Sequence, residues 1–441
     1  MSTLRIDNGL LVTLDANQRC IESGSLLIED GTIVELGEST GADTRPDRVI
    51  DAAGKVVMPG LINAHHHLYS TFARGYAPPG APAENFAQIL ERLWWKLDKA
   101  LEPEDVYDSA LLALMEGAHA GCTTIIDHHA SPSCCDESLD AIERAFRDTG
   151  LSGCLCYEVS DRNAEGQGIE ENLRFIDKCR AAGDDQLTAL FGLHALMTLG
   201  EPTLERCEAI AREHGVGFHV HVAEDGIDVR LARERHGRHI MEVFADRGIT
   251  GPQSIFVHGV HLAPVELDII AATNSVVVNC PESNMNNAVG VADVPAMLER
   301  GIAVGLGTDG MSSNMLSQAR AAYLQQRLTR ENPAAGFVEA CEMLLVNNAE
   351  ICDRLFRDTR GVLAPGGLAD VIIYDYVPPT PLYSDTLYGH LLFGLAHARV
   401  LTTIARGEVI VDAGRFLPLD EAAIRARCAE RAPAIWRRAA T

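Results

Sequence analysis

The chain has 441 residues, 47% of them hydrophobic, and carries 37 Lys and Arg against 62 Asp and Glu, a formal charge of −25. Such a length exceeds one simple core and points to two or more units, one of them able to hold a barrel of about 250 residues. The negative balance argues against a nucleic-acid backbone or an anionic membrane as partner, and no apolar run reaches the ~18 residues of a membrane span.

The N-terminus lacks a basic stretch followed by an apolar block, so no signal peptide is read there. The 12 cysteines are mostly scattered singly and form no Cys-x-x-Cys. Reduced, buried thiols in a cytoplasmic protein are the expectation.

In chain order, residues 4–57 hold short β-like runs, among them Gly9–Leu14, Ser25–Ile28, Thr32–Leu36 and Val49–Asp51, separated by turn residues such as Asp30-Gly31 and Gly54. A similar texture returns at 369–375, 400–404 and 408–411. One small β-sandwich domain built from both termini is expected, residues 1–57 plus 366–418, with residues 58–365 inserted into it. The segment from Asp420 to Arg438, within 419–441, reads as a C-terminal helix bearing Arg425, Arg427, Arg431, Arg437 and Arg438, on the surface or at a subunit contact.

The middle alternates strands and helices. Eight apolar runs qualify as strands: Val57–Asn63, Thr123–Asp127, Gly153–Glu158, Ala189–Leu193, Gly217–Val222, Ser254–His258, Val276–Asn279 and Ala303–Gly307. Helical patterns lie between them, such as Pro103 to Ala120 followed by Gly121. The expected fold class is therefore α/β, a (β/α)₈ TIM-like barrel whose site lies at the C-terminal strand ends. A doubly wound sheet is the alternative, but it would bring a glycine-rich turn after its first strand, where His65-His66-His67 stands.

Those strand ends are rich in metal-ligating groups. In an extended chain alternate side chains share a face, so His65 and His67 can reach one point while His66 points away. The fifth strand ends in His219-x-His221, of which one faces the lumen, with Glu224 beyond; the sixth ends in His258 and the eighth in Thr308-Asp309-Gly310. His65, His67, His221 and Asp309 would make a three-imidazole, one-carboxylate site with an open position for water. Zinc is favoured, with Fe²⁺ also suited to these donors.

Pro59-Gly60-Leu61-Ile62-Asn63-Ala64-His65-x-His67, His221-x-x-Glu224, His258 and Thr308-Asp309-Gly310 resemble the amidohydrolase superfamily, in its branch of mononuclear-metal deaminases and chlorohydrolases. The likeness spans nearly the whole chain, including Leu363-Ala364-Pro365-Gly366-Gly367-Leu368-Ala369-Asp370-Val371. Four further segments (93–98, 126–132, 160–163 and 283–287) resemble the aminohydrolases labelled SsnA. The resemblance selects His221 over His219 as the ligand. It implies Glu224 as a proton shuttle between water and a ring nitrogen, His258 as a hydrogen-bond partner of the attacking hydroxide, and Asp309 as ligand and proton acceptor. It also implies one metal ion per subunit: the fourth strand ends Leu193-His194-Ala195, without the lysine that bridges two ions in other members. By the same resemblance His194 is a substrate-pocket candidate, although a packed histidine is the competing reading.

Other candidates come from the residues alone. Arg162, past the third strand, could clamp a substrate carboxylate with two hydrogen bonds or form a structural salt bridge. Asn279 stands where deaminases of this branch often carry His, and an amide cannot take up a proton near neutral pH. Asn284, Asn286 and Asn287 suit a polar pocket rim or a capped loop. Trp94 and Trp95 could wall the pocket or pack a helix. Residues 69–86, rich in Gly and Pro, could form a lid or a plain loop.

The expected function is a metal-dependent hydrolase, foremost a hydrolytic deaminase of a small cyclic or amidine-like nitrogen compound. Chlorohydrolase or cyclic amide hydrolase chemistry at the same site is the near alternative, and a non-catalytic barrel acting as a protein-binding scaffold the distant one. The partner is a small-molecule substrate, and a homo-oligomer is expected.

Overall fold

The computed structural model describes residues 2–40, 45–310 and 312–441. Strands from both ends of the chain join in one hydrogen-bonded sheet of nine strands. Val371–Tyr374 makes the seam, pairing antiparallel with Val56–Pro59 on one side and Val400–Ala405 on the other. Thr3–Val12 and Cys20–Glu29 continue it, and the turn after Cys20–Glu29 uses the expected Asp30-Gly31, both at positive φ. Leu4, Ile6, Leu26, Val57, Val371 and Ile404 form a separate apolar core against this sheet.

All eight barrel runs form strands, seven of them continuous: Leu61–His66, Cys122–Asp127, Ser152–Leu155, Phe218–Val222, Ile255–His258, Val276–Asn279 and Val304–Leu306. The fourth is interrupted at Leu190, giving Leu187–Ala189 and Phe191–Leu193. Successive strands pair in parallel. Parallel bridges Val159↔Leu193 and His66↔Asp309 close the ring. The run read as Val57–Asn63 spans two elements. Val56–Pro59 belongs to the terminal sheet, whereas the barrel strand begins at Leu61. At Gly60 the backbone leaves one sheet for the other: its N–H donates to Asp370, and a Cβ there would lie 2.2 Å from Thr123 Oγ1.

Pro103–His119 is helical as expected, started by a Glu102–Asp105 capping box and ended before Gly121 at φ +85°. The tail forms the helix Glu421–Ala439. Arg427 and Arg431 bond Asp108, and Arg431 and Arg438 bond Asp105, both aspartates buried on the helix Pro103–His119. Its Trp436 donates to the Phe72 carbonyl and stacks on Tyr76, so the tail braces the segment after the first barrel strand. The first part of that segment is a 3-10 helix, Leu68–Ala73, and its end seats buried Phe86 beside the site.

Candidate functional site

The strand ends bring His65, His67, His221 and Asp309 together, with one ligating atom of each within 4.8 Å of the others. The hydrogen bonds behind the rings decide what those atoms are. His67 Nδ1 donates to the His128 carbonyl at 2.6 Å, and His221 Nδ1 donates to the His194 carbonyl at 2.9 Å. A carbonyl only accepts, so each ring carries its hydrogen on Nδ1 and turns a lone pair on Nε2 inward. These two lone pairs face each other at 3.3 Å. His65 Nε2 is fully buried with no hydrogen-bond partner. Asp309 Oδ1 lies 3.0 Å from His67 Nε2 and 3.6 Å from His65 Nε2. Nitrogen lone pairs converging on a carboxylate fit a divalent cation of zinc type.

Electrostatics point the same way. Burial holds the pKa values of His65 and His221 well below the ordinary imidazole value. Burial acts on His67 too, but the Asp309 carboxylate outweighs it and lifts His67 to about 9, so a proton competes with a cation for its Nε2 lone pair. Burial would raise Asp309, yet the adjoining His65 and His67 rings hold it well below the carboxylate range. The cluster therefore attracts positive charge.

Each donor is fixed from behind, a common feature of metal-binding histidines. His65 Nδ1 meets His219 Nε2 at 2.8 Å, and His219 Nδ1 lies 3.7 Å from Cys156 Sγ. Ser283 Oγ donates to Asp309 Oδ2 at 2.5 Å, leaving Oδ1 toward the imidazoles. Asp309 and His258 sit at positive φ, 59° and 73°, which turns both side chains inward at their strand ends. Gly307 permits the eighth strand to pass the first, since a Cβ there would lie 2.7 Å from His65 Cβ. His66 points away as expected, its Nδ1 bonded to Thr308 Oγ1 and the Asp309 carbonyl.

Glu224 and His258 stand beside the cluster. Glu224 Oε2 is 3.4 Å from His258 Nε2, which is 3.9 Å from Asp309 Oδ2. Asn287 Nδ2 donates to Glu224 Oε1 at 3.2 Å. Burial, then the Asp309 charge, pushes the Glu224 carboxyl well above its ordinary value. Burial lowers His258, so its ring is neutral at pH 7.

The expected substrate contacts divide. His194 lines the cavity together with His67, His221, Glu224, His258 and Asp309, and its Nδ1 bonds Thr198 Oγ1. Arg162, Asn279 and Asn284 do not line it. Arg162 Nη2 is held by Asp98 and Glu158 at 2.8 Å each in a buried salt bridge, whereas its Nε and Nη1 are buried without a hydrogen-bond partner. Asn284 lies behind His258: its Oδ1 accepts from His258 Nδ1 at 2.8 Å, and its Nδ2 donates to Asn279 Oδ1 at 3.2 Å. Both amides orient the histidine from the side away from the cavity. Trp94 and Trp95 do wall the cavity, with Tyr69, Phe86 and Leu90. Asp98 and Glu158 also line it and were not singled out from the sequence. For Glu158 the position at the third strand end was the available signal; for Asp98 it was its place at the end of the family-like segment 93–98.

The amidohydrolase family profile matches residues 56–410. The 5'-deoxyadenosine deaminase of Methanosarcina acetivorans is 34% identical over 428 residues, 96% of this chain and 95% of that protein. The 5-methylthioadenosine/S-adenosylhomocysteine deaminase of Pelotomaculum thermopropionicum is 30% identical over 439 residues, 98% of each. Among solved structures, a zinc-bound adenosine deaminase from Xanthomonas campestris superposes with a TM-score of 0.86 at 21% identity, covering 99% of this chain and 98% of its own. A zinc-bound atrazine chlorohydrolase from Arthrobacter aurescens gives 0.85 at 23% identity, covering 98% and 100%. At these identities the two structures speak for the fold.

Proposed function

The chain belongs to the amidohydrolase family and is a metal-dependent hydrolase of carbon–nitrogen bonds other than peptide bonds, and we propose that it deaminates 5'-substituted adenosines or a closely similar cyclic amidine. The observation that carries the reading is the placement of Glu224 and His258 at 3.4 Å from each other beside the three-imidazole, one-carboxylate cluster.

We assign His65, His67, His221 and Asp309 as the ligands of one divalent ion, with zinc favoured by the donor set. When bound, the ion supplies a Lewis acid and a water that ionises near neutral pH. The remaining chemistry falls to the side chains. Asn284 holds the hydrogen of His258 on Nδ1, so His258 Nε2 presents a lone pair able to accept a proton from the nucleophile. Glu224, whose carboxyl holds its proton more tightly through burial and the Asp309 charge, is the donor for the ring nitrogen next to the carbon under attack. Protonating that nitrogen draws electron density from the carbon; the proton taken up by His258 then passes to the amino group, which departs as ammonia while the hydroxyl of the tetrahedral centre gives its proton back to Glu224 and becomes the carbonyl. Asn287 keeps Glu224 aimed into the cavity, and Ser283 fixes Asp309. Trp94, Trp95 and Phe86 offer apolar faces for a flat ring.

The same reading takes residues 58–365 as the catalytic barrel, 1–57 plus 366–418 as a small β-sandwich domain and 419–441 as a bracing helix. A cytoplasmic home is supported by 12 free cysteines, and a homo-oligomer remains our expectation. The test is an ammonia assay on zinc-loaded enzyme with 5'-deoxyadenosine, 5'-methylthioadenosine and adenosine. We expect ammonia in equal amount to the inosine-type product. No ammonia from any of the three, with chloride from a chlorotriazine or a carboxylate from a cyclic amide instead, would replace this reading by another leaving group at the same centre.

A further inference from the structure

Glu224 has to be aimed as well as protonated, and its side-chain partner Asn287 holds only one of its oxygens. Alternation counted from His221 along the strand Phe218–Val222 would put Glu224 on the opposite face, away from the metal donors. It lines the cavity instead, because the chain turns at Ala223. Ala223 is fully buried and has φ 50°, in the left-handed region that a residue with a Cβ seldom adopts. Such a conformation persists only where the surroundings hold it. Two hydrogen bonds do so here. The Ala223 carbonyl accepts from the His261 N–H at 2.9 Å, and the Ala223 N–H donates to Asp228 Oδ2 at 3.0 Å.

Asp228 is an expensive acceptor. It is 3% exposed, and burial, with Glu266 and Asp225 adding to it, pushes its pKa up to about 7. Its Oδ1 is buried without a hydrogen-bond partner; among the described residues the Met197 N–H is the one other backbone donor that draws on the carboxylate. Burying a carboxyl this poorly satisfied works against folding. Nor does its own helix, Gly226–His236, depend on it: Asp225 already caps the start, its Oδ1 accepting from the Ile227 N–H at 2.9 Å. What Asp228 supplies that no neighbour duplicates is the acceptor for Ala223.

We propose that Asp228 is a positioning residue for the proton donor: it locks Ala223 in its left-handed turn and so keeps Glu224 in the cavity beside His258. Asp228 does not line the cavity, so it acts through the Ala223 backbone. The inference rests on the proposed proton transfer by Glu224.

The test compares Asp228→Leu, similar in shape but without an acceptor, with Asp228→Asn, which keeps one. A crystal structure of zinc-loaded Asp228→Leu should show residues 223 and 224 displaced and Glu224 Oε2 farther from His258 Nε2 than the present 3.4 Å, with the four metal donors in place. With whichever substrate the product assay selects, kcat should fall about 10- to 100-fold, since a displacement of ~1 Å costs about 10²-fold, while KM and zinc content stay near wild type. Asp228→Asn should recover most of that loss. In a Glu224→Gln background Asp228→Leu should cost about twofold or less, because the group it positions is already gone. Glu224 unmoved in the crystal, an unchanged kcat in Asp228→Leu, or the same loss with and without the Glu224 carboxyl would overturn the proposal. Asp228→Ala takes the place of the leucine variant in each comparison if that variant does not fold. The crystallographic comparison needs no turnover, so absence of ammonia would remove the deaminase reading and leave the position of Glu224 to decide this one.

Discussion

Replacing His219 by Leu should weaken the metal without weakening the fold, and the structure gives both the size and the reason. His219 and His65 are fully buried, and His219 Nε2 is the partner of His65 Nδ1 at 2.8 Å. To ligate through Nε2, His65 must carry its hydrogen on Nδ1, and His219 is the acceptor for it. Leucine removes that acceptor, and a buried N–H left unpaired costs ~1–3 kcal/mol, or about 5- to 150-fold in metal affinity. The metal-free protein escapes this cost: His65 can move its hydrogen to Nε2, where Asp309 Oδ1 waits at 3.6 Å. The loss should therefore appear in the zinc dissociation constant, measured by competition with a coloured chelator, while the melting temperature of the metal-free protein changes little. His219→Gln offers an amide oxygen in roughly the same place and should recover most of the affinity. An unchanged zinc affinity in His219→Leu, or a failure of Gln to do better than Leu, would refute the claim that His219 acts by fixing the His65 tautomer.

Glu224→Gln should keep its metal content and lose activity by about 10²–10⁴, as removal of a proton-transfer group does; full activity with bound zinc would exclude Glu224 from the chemistry. Asn284→Leu frees His258 Nδ1 of its acceptor, so kcat should fall by roughly tenfold or more with KM little changed, and a pure KM effect would place Asn284 in substrate binding instead. Asp98 is raised by burial from 3.8 to about 6, with Arg162 opposing and Glu158 adding to the rise. The folded form thus binds a proton more tightly than the unfolded chain, and the associated stability is present below pH 4 and lost as pH rises through 6. Urea unfolding between pH 5 and pH 7.5 should show Asp98→Asn losing of the order of 1–2 kcal/mol less than wild type; parallel losses would contradict the burial argument.

The barrel was legible because its signal is local. Each strand is a short apolar run that stops at a polar residue, and seven of the eight form unbroken strands near the positions read. The metal donors were legible for the same reason: period two puts His65 and His67 on one face, and Asp309 ends a strand that must lie beside the first once the ring closes. The rest depends on contacts between distant parts of the chain. The break at Gly60 is set by Asp370 and Thr123, neither of them near it in sequence. Alternation could not choose between His219 and His221, because both turn out to serve the site, one through the other's neighbour His65. Asn279 and Asn284 read as pocket residues since their strand end and loop adjoin the site, but a buried imidazole needs a fixed tautomer and takes up their hydrogen-bonding capacity first. Arg162, read either as a substrate clamp or as a structural salt bridge, is the most instructive case. A guanidinium at a strand end can clamp a carboxylate brought by a ligand or one supplied by the chain, and Asp98, 64 residues away, supplies it together with Glu158. Residue type predicted the interaction correctly; only the fold revealed its owner.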